Sequence, residues 1–194
     1  MAMAKQRLTG QDPIPGLVEA VLVALGEDPG RQGLKATPDR MARALRELTD
    51  GYGVTPEDVI AGAVFDQDYD EMVVVKDVPF FSLCEHHLLP FFGHFHVGYL
   101  PKGKVVGLSK IPRLVEVFAH RLQLQERMTK EFAEALAGAL EPKGVGVVVE
   151  ARHLCMEMRG VQKTGGQLIT SCMLGTFRRD PRTRAEFLDL VRRT

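Results

Sequence analysis

The chain has 194 residues, the composition of a folded protein and no net charge. Hydrophobic residues make up 45% and charged residues 26%, which excludes an intrinsically disordered chain. Lysine plus arginine equal aspartate plus glutamate at 25 each, so no overall field attracts nucleic acid or an anionic membrane surface. Any site for an anion must therefore be local.

Cysteine content and hydropathy both favour a cytoplasmic protein. Three cysteines are too few, and an odd number, for a disulfide framework, and reduced thiols suit the cytosol. No apolar run approaches the roughly 20 residues of a membrane span. Residues 1–11 form a polar leader that lacks the apolar stretch of a signal peptide. We therefore expect a cytoplasmic protein that binds neither membranes nor nucleic acid.

The beginning of the chain has helical periodicity. Apolar residues recur at helical spacing over residues 14–25, and a stretch rich in Gly, Asp and Pro follows. Thr37 and Pro38 are typical of a helix N-cap and first helical residue, and this second helix should end near residue 51. The sequence therefore predicts an N-terminal helical hairpin.

From residue 72 onwards the pattern becomes that of strands, interrupted by one pair of helices. The predicted strands are residues 72–76, 94–100, 104–108, 144–154 and 168–177. The predicted helices are residues 112–122, 125–140 and a short one near 187–191. This order predicts an α+β fold with a mostly antiparallel sheet, in which residues 1–62 form the leader and hairpin and residues 63–194 a second domain.

Two short segments carry residues that bind metals. Cys84-Glu85-His86-His87 has the Cys-x-x-His spacing that lets one turn hold an ion, and His153-Leu154-Cys155 offers a second thiol. Structural zinc sites have four protein ligands, whereas catalytic sites leave one position open. A metal held by Cys84, His87 and Cys155 would have three protein ligands, which is typical of a catalytic site.

Other interpretations of these residues stay open. A single cysteine is more often a small buried hydrophobic residue, and we expect this of Cys172. A structural zinc site would need a fourth ligand, and the candidates are His94, His96 and Cys172. His86 and His153 adjoin predicted ligands without being needed as ligands. An imidazole titrates near neutral pH, so we favour acid–base catalysis for both over support of the metal ligands.

The best local anion site lies where a strand leads into a helix. Ser109, Lys110 and Arg113 combine helix N-terminal N–H groups with two cations, although a serine there is also a simple cap. Arg159 follows the second metal segment and adds a cation. Arg40 and Arg43, one helical turn apart, are typical of a solvated helix face and are weaker candidates.

Gln125 and Glu126 begin a predicted helix, where the helix dipole favours a carboxylate whatever its function. A carboxylate at this position can also accept paired hydrogen bonds from the N–H edge of guanine. Position alone does not separate the two roles.

Four blocks of the chain together resemble GTP cyclohydrolase I. The blocks are Cys84-Glu85-His86-His87, Gly107-Leu108-Ser109-Lys110, Gln123-Leu124-Gln125-Glu126-Arg127, and His153-Leu154-Cys155 with Arg159-Gly160-Val161. They occur in the order and spacing of that family, and the resemblance runs from about residue 37 to the C-terminus. Four separate blocks are far more specific than a single Cys-x-x-His motif.

The resemblance implies a zinc-dependent enzyme that converts GTP and water into formate and 7,8-dihydroneopterin triphosphate, the first step of folate or pterin synthesis. It implies that Cys84, His87 and Cys155 bind Zn²⁺, which lowers the pKa of a water molecule that attacks C8 of the guanine. His86 and His153 would move protons while the imidazole ring opens and formate leaves.

The resemblance also assigns residues to the substrate. Ser109 is linked to the ribose rearrangement and to phosphate contact, and Glu126, with Gln125 beside it, reads the guanine edge. The residues at triphosphate-binding or neighbouring basic positions are Lys110, Arg113, Arg159, Arg40 and Arg43. Arg43 stands where lysine also occurs, and Cys172 stands where we expect alanine, so we assign Cys172 no role.

The resemblance further implies the tunnelling fold, in which an antiparallel sheet is backed by two helices and sheets from several protomers join into a barrel. Residues 63–194 would be the catalytic domain. Members of the family are homodecamers whose active sites are shared between subunits, which fits a chain with open sheet edges.

Three alternatives compete with this interpretation. A nitrile-reducing enzyme of the same fold uses NADPH and a nucleophilic cysteine without catalytic zinc, which the Cys84, His87 and Cys155 set disfavours. A non-enzymatic zinc module would need a fourth ligand and usually a basic surface. An inactive relative is disfavoured because every matched site position is filled.

Overall fold

The computed structural model describes residues 12–192, so the leader predicted for residues 1–11 lies outside the described residues. The chain divides into two compact units, Met1–Glu47 and Leu48–Thr194. A division into two domains at residue 62 stays a prediction.

The first unit contains the predicted helical hairpin. Helix α1 (Ile14–Ala24) and helix α2 (Thr37–Glu47) pack against each other. Arg46 on α2 forms an ion pair with Asp12 just before α1, with Nη2 2.6 Å from Oδ1, and this contact lowers the pKa of Asp12. The hairpin is confirmed, although α2 begins at Thr37 itself and ends at Glu47, before the predicted end at residue 51.

The second unit is a five-stranded sheet with two long helices on one face. After a short 3₁₀ turn (Asp50–Gly53), its elements are α3 (Pro56–Ile60), β1 (Val64–Asp66), β2 (Val73–Cys84), β3 (Pro90–Leu100), β4 (Lys104–Val106), α4 (Lys110–Ala119), β5 (Leu122–Gln123), α5 (Gln125–Leu140), β6 (Gly144–His153), α6 (Leu154–Glu157), β7 (Leu168–Gly175), α7 (Thr176–Arg179) and α8 (Pro181–Arg192). The sheet has the order β5-β2-β3-β6-β7, and β1 pairs separately with β4.

The predicted α+β fold with a mostly antiparallel sheet is confirmed. The pairs β2–β3, β3–β6 and β6–β7 are antiparallel, and only the short pair β2–β5 is parallel. Strand β2 is much longer than the predicted residues 72–76, because a bulge shifts the register between Val75 and Val78 and breaks the alternation there. Asp77 in this bulge has a left-handed backbone, with φ of 57°.

Strand direction brings the ends of β2 and β6 together. Both strands flank β3 and run antiparallel to it, so they are parallel to each other and end at the same edge of the sheet. Aromatic packing fixes this arrangement, since Phe95 of β3 contacts Phe80 of β2 and Phe132 of α5 with ring centroids 5.1 and 5.2 Å apart. Burying each such ring contributes about 2 kcal/mol.

The other face of the sheet is covered near its far end by α7 and α8. Phe177 and Phe187 are fully buried there and meet edge to face, with centroids 5.5 Å apart. Gly98 and Gly146 lie beneath these rings and leave them room. Among residues 12–192, no helix is both long and apolar enough to cross a membrane.

We expect Gly146→Ala to destabilise the sheet, because a Cβ atom at residue 146 would lie 2.5 Å from Cδ1 of Phe177. Overpacking of this kind costs about 1–3 kcal/mol, which urea unfolding measures. Gly138→Ala on α5 is the matched control, since a Cβ atom at residue 138 would meet nothing within 4 Å beyond its own helix, and alanine favours a helix. Equal stabilities for the two variants would contradict this account of the packing.

We expect the buried His96 to make the stability of the sheet sensitive to pH. Its Nδ1 accepts a hydrogen bond from the N–H of Asp77 at 3.2 Å, and burial lowers its pKa although Asp77 and Glu150 oppose this. As the pH falls, the His96 side chain therefore binds a proton at a higher pH in the unfolded chain than in the folded protein. The free energy of unfolding should decrease as the pH drops below about 6.5. His96→Asn keeps an acceptor near Nδ1 but does not titrate.

The free energy of unfolding of His96→Asn should therefore fall less between pH 7.5 and pH 5 than that of the parent. Denaturant titrations at several pH values provide the measurement. His94→Asn, at an exposed position on the same strand, should keep the parental slope. The same pH slope in the parent and in His96→Asn would rule out this role.

Candidate metal centre and active site

The three predicted ligands converge at the shared edge of β2 and β6. Cys84 ends β2, His87 lies in the following turn and Cys155 lies on α6, and their ligand atoms are all within 4.8 Å of one another. Cys84 Sγ and His87 Nδ1 are 3.9 Å apart. Tetrahedral zinc, with bonds of about 2.3 Å to sulfur and 2.0 Å to nitrogen, separates such a pair by about 3.6 Å. Two thiols and an imidazole at these distances fit zinc.

A tight turn presents the first two ligands. The carbonyl oxygen of Cys84 accepts hydrogen bonds from the N–H groups of His87 and Leu88, at 3.3 and 2.8 Å. The N–H of Cys84 donates to the carbonyl of Leu89, and Leu88 takes the left-handed conformation that closes the turn. His86 and His87 are therefore exposed at the edge of the sheet, and Nδ1 of His86 lies 4.0 Å from Cys84 Sγ.

The Cys155 thiol resists ionisation when no cation is bound. Burial raises the pKa of the Cys155 thiol, and neighbouring Cys84 raises it further, while Arg159 lowers it. Among residues 12–192, Cys84, His87 and Cys155 form the only group of three or more potential metal-binding side chains. His94, His96 and Cys172, the candidate fourth ligands, lie outside this group, which therefore offers three side chains to a metal ion.

Gln125 holds His153 beside the metal group. Nε2 of the Gln125 amide contacts the carbonyl oxygens of Val149 and Leu168, both at 3.0 Å, and Oγ1 of Thr170 at 3.1 Å. Because carbonyl oxygens only accept hydrogen bonds, the orientation of the amide is fixed. Its Oε1 lies 2.9 Å from Nε2 of His153 and must accept the proton there. Neutral His153 therefore carries its proton on Nε2 and leaves Nδ1 free.

The His153 ring is also fixed by its neighbours. It stacks on Phe91, its register partner on β3, with centroids 4.6 Å apart and planes 5° from parallel. Burial lowers the pKa of His153, and the charge of Glu126 opposes this shift. Glu126 is exposed in the first turn of α5, so its carboxylate is accessible to a ligand close to His153.

The predicted phosphate-binding residues lie on several elements. Ser109 precedes α4 without making a side-chain cap, Lys110 begins that helix, and Arg113 lines a cleft of about 350 Å³ that includes Asp50 and His120. Arg159 follows α6 close to Cys155 and is exposed. Arg40 and Arg43 lie on α2 in the first unit, with exposed side chains.

Two ion pairs that the sequence did not predict flank the ligands. Arg127 of α5 donates to Glu85 beside Cys84, and it also contacts the side chain of Gln123. Arg152 of β6 forms a two-point pair with Glu157, at the end of α6, which lowers the pKa of Glu157. Neither pair has the i,i+3 or i,i+4 spacing on one helix from which ion pairs can be predicted in a sequence.

Comparison with known proteins gives a consistent result. The family model for GTP cyclohydrolase I matches residues 14–192. GTP cyclohydrolase 1 of Synechococcus sp. (strain JA-3-3Ab) is 59% identical over 175 residues, covering 90% of this chain and 76% of the relative. The Coxiella burnetii (strain Dugway 5J108-111) enzyme of the same name is 57% identical over 176 residues, covering 91% and 96%. The Homo sapiens one is 57% identical over 182 residues, covering 92% and 73%. The chain therefore belongs to the GTP cyclohydrolase I family, as the four sequence blocks predicted.

Proposed function

We propose that this chain opens the imidazole ring of the guanine of GTP in a zinc-dependent reaction, releasing formate and forming 7,8-dihydroneopterin triphosphate for folate or pterin synthesis. The observation that carries the proposal is the convergence of Cys84, His87 and Cys155 next to an oriented His153, in a member of this family. Zn²⁺ bound by these three residues would supply a Lewis acid that lowers the pKa of a water molecule to about 7.

His153 and His86 are the proposed proton carriers. His153 has its Nε2 proton held by Gln125, so Nδ1 is the atom that accepts a proton from water or substrate. Its lowered pKa keeps the ring neutral, and therefore basic, at pH 7. His86 is exposed, with Nδ1 4.0 Å from Cys84 Sγ, and is proposed to return a proton as the ring opens.

The proposed substrate contacts begin with Glu126, which is exposed in the first turn of α5. Glu126 accepts the paired N–H groups of guanine, and adenine would leave this carboxylate unpaired. The buried Gln125 amide is fully used within the protein, so we assign it to holding His153. The residues proposed for the ribose and triphosphate are Ser109, Lys110, Arg113 and Arg159, with Arg40 and Arg43 as additional cations.

Assembly and location complete the proposal. We propose a homo-oligomer, a decamer by analogy with the family, in which neighbouring chains complete each site. Outer strand β7 leaves one of its edges unpaired among the described residues, which supports pairing with another copy. All three cysteines are free thiols, which fits a cytoplasmic location.

Removal of zinc should abolish formate release from GTP, and its return should restore the reaction. Cys155→Ser should lower both zinc content and turnover by more than the roughly 10- to 100-fold that is typical of residues behind the ligands. Formate assay, pterin fluorescence after oxidation and metal analysis provide the measurements.

Cys172→Ser is the matched control, because Cys172 lies on β7 outside the ligand group and should keep zinc and activity. A Cys155→Ser protein that retained both zinc and full formate release would contradict the assignment of Cys155 as a zinc ligand. A zinc-loaded parent that released no formate from GTP would rule out the activity.

Gln125→Met should lower kcat by about 100-fold and change KM little, because a misoriented base slows the chemical step while guanine binding is intact. Steady-state kinetics and ¹⁵N NMR of His153 test this together. The parent should show the Nε2–H tautomer, and the variant a mixture. A raised KM with an unchanged kcat would instead mean that Gln125 binds guanine.

A further inference from the structure

The turn that carries Cys155 is closed by a charged pair. Nε of Arg152 lies 2.9 Å from one carboxylate oxygen of Glu157, and Nη2 lies 2.5 Å from the other. The Glu157 side chain is only 5% exposed, whereas Arg152 is 45% exposed. Such two-point pairing fixes direction as well as distance.

Helix α6 has little stability of its own. It spans only Leu154–Glu157, and the N–H of Met158 closes it on the carbonyl of Leu154 at 3.0 Å. A single helical turn is unfavourable in isolation, because it fixes many backbone angles for one hydrogen bond. Contacts from outside the turn must therefore hold it.

Arg152 provides this contact from the strand before the turn. Its guanidinium lies 5.9 Å from the centre of the Phe92 ring on β3, which anchors it to the sheet. Because Glu157 is at the other end of α6, the pair spans the segment that contains Cys155. Both oxygens of Glu157 accept hydrogen bonds from Arg152, and Glu157 lies outside the group of potential metal ligands.

We infer that Arg152 and Glu157 are positioning residues that hold Cys155 within reach of Cys84 and His87 for metal binding. This inference rests on the proposed zinc site. The pair acts through the geometry of α6, and neither side chain touches the ion.

A direct effect of charge on the ion predicts a different pattern. Removing the positive charge of Arg152 would then tighten zinc binding, and removing the negative charge of Glu157 would weaken it. The positioning role predicts weaker binding in both cases, because either change opens the same turn. Whether loss of Arg152 weakens or tightens zinc binding therefore distinguishes the positioning role from a direct effect of charge.

The test is zinc affinity, measured by competition with a chromogenic chelator for the parent, Arg152→Met, Glu157→Gln and the double variant. Each single variant should bind zinc about tenfold more weakly. The double variant should lose less than the product of the two single losses, because the two residues act as one pair. Lys130→Met and Glu134→Gln, which alter an exposed ion pair on α5, are the controls and should bind zinc as the parent does.

Thermal unfolding of the metal-free proteins checks that the variants fold. If Arg152→Met does not fold, Arg152→Lys keeps the charge, loses the two-point contact and should also bind zinc more weakly. Parental affinity in the folded single variants, or tighter binding after loss of Arg152, would overturn the inference. A parent that does not bind zinc would instead overturn the proposed site itself.

Discussion

The position of β3 between β2 and β6 is the constraint on which the site depends. Because both neighbours run antiparallel to β3, their last residues, Cys84 and His153, lie at one edge of the sheet. The register also matters, since Phe91 pairs with His153 and stacks on its ring. A slip of one residue would turn the side chains of a strand to the opposite face. The buried core of Phe residues against α5 thus indirectly sets the geometry of the candidate metal ligands.

Buried polar groups restrict this edge further. The Gln125 side chain is 1% exposed and joins α5 to β6 and β7, and Thr129 and Thr170 share a hydrogen bond beside it. Leaving any of these groups unpaired would cost about 1–3 kcal/mol, so folding itself selects the arrangement. The orientation of His153 follows from that selection, because only the oxygen of the Gln125 amide remains to face it. Stability and the proposed chemistry therefore depend on the same hydrogen bonds.

Much of the fold and of the candidate site could be predicted from residue types and their spacing in the sequence. The start and end of α5 agree with the predicted residues 125–140. The group of Cys84, His87 and Cys155 is the one predicted from the two short segments that contain these residues. The length of β2 could not be predicted, because the bulge at Asp77 hides the strand period. The partners of Gln125 could not be predicted either, because they lie on strands that only the sheet order brings together. The ion pair of Arg152 and Glu157 could not be predicted because it depends on the direction that the chain takes from β6 into α6. Periodicity in the sequence does not indicate this direction.

Charge balance connects the metal group with the rest of the chain. Zn²⁺ held by two thiolates and a neutral imidazole is neutral overall, so the proposed centre adds no positive field for a triphosphate. The chain as a whole is also neutral. Attraction for the substrate must then come from individual exposed cations, of which Arg159 lies close to Cys155. Arg113 lines a cleft with Asp50, Glu116 and His120, none of which belongs to the ligand group. In the proposed oligomer, cations from a neighbouring chain would complete the triphosphate site, which explains how a neutral chain can bind so highly charged a substrate.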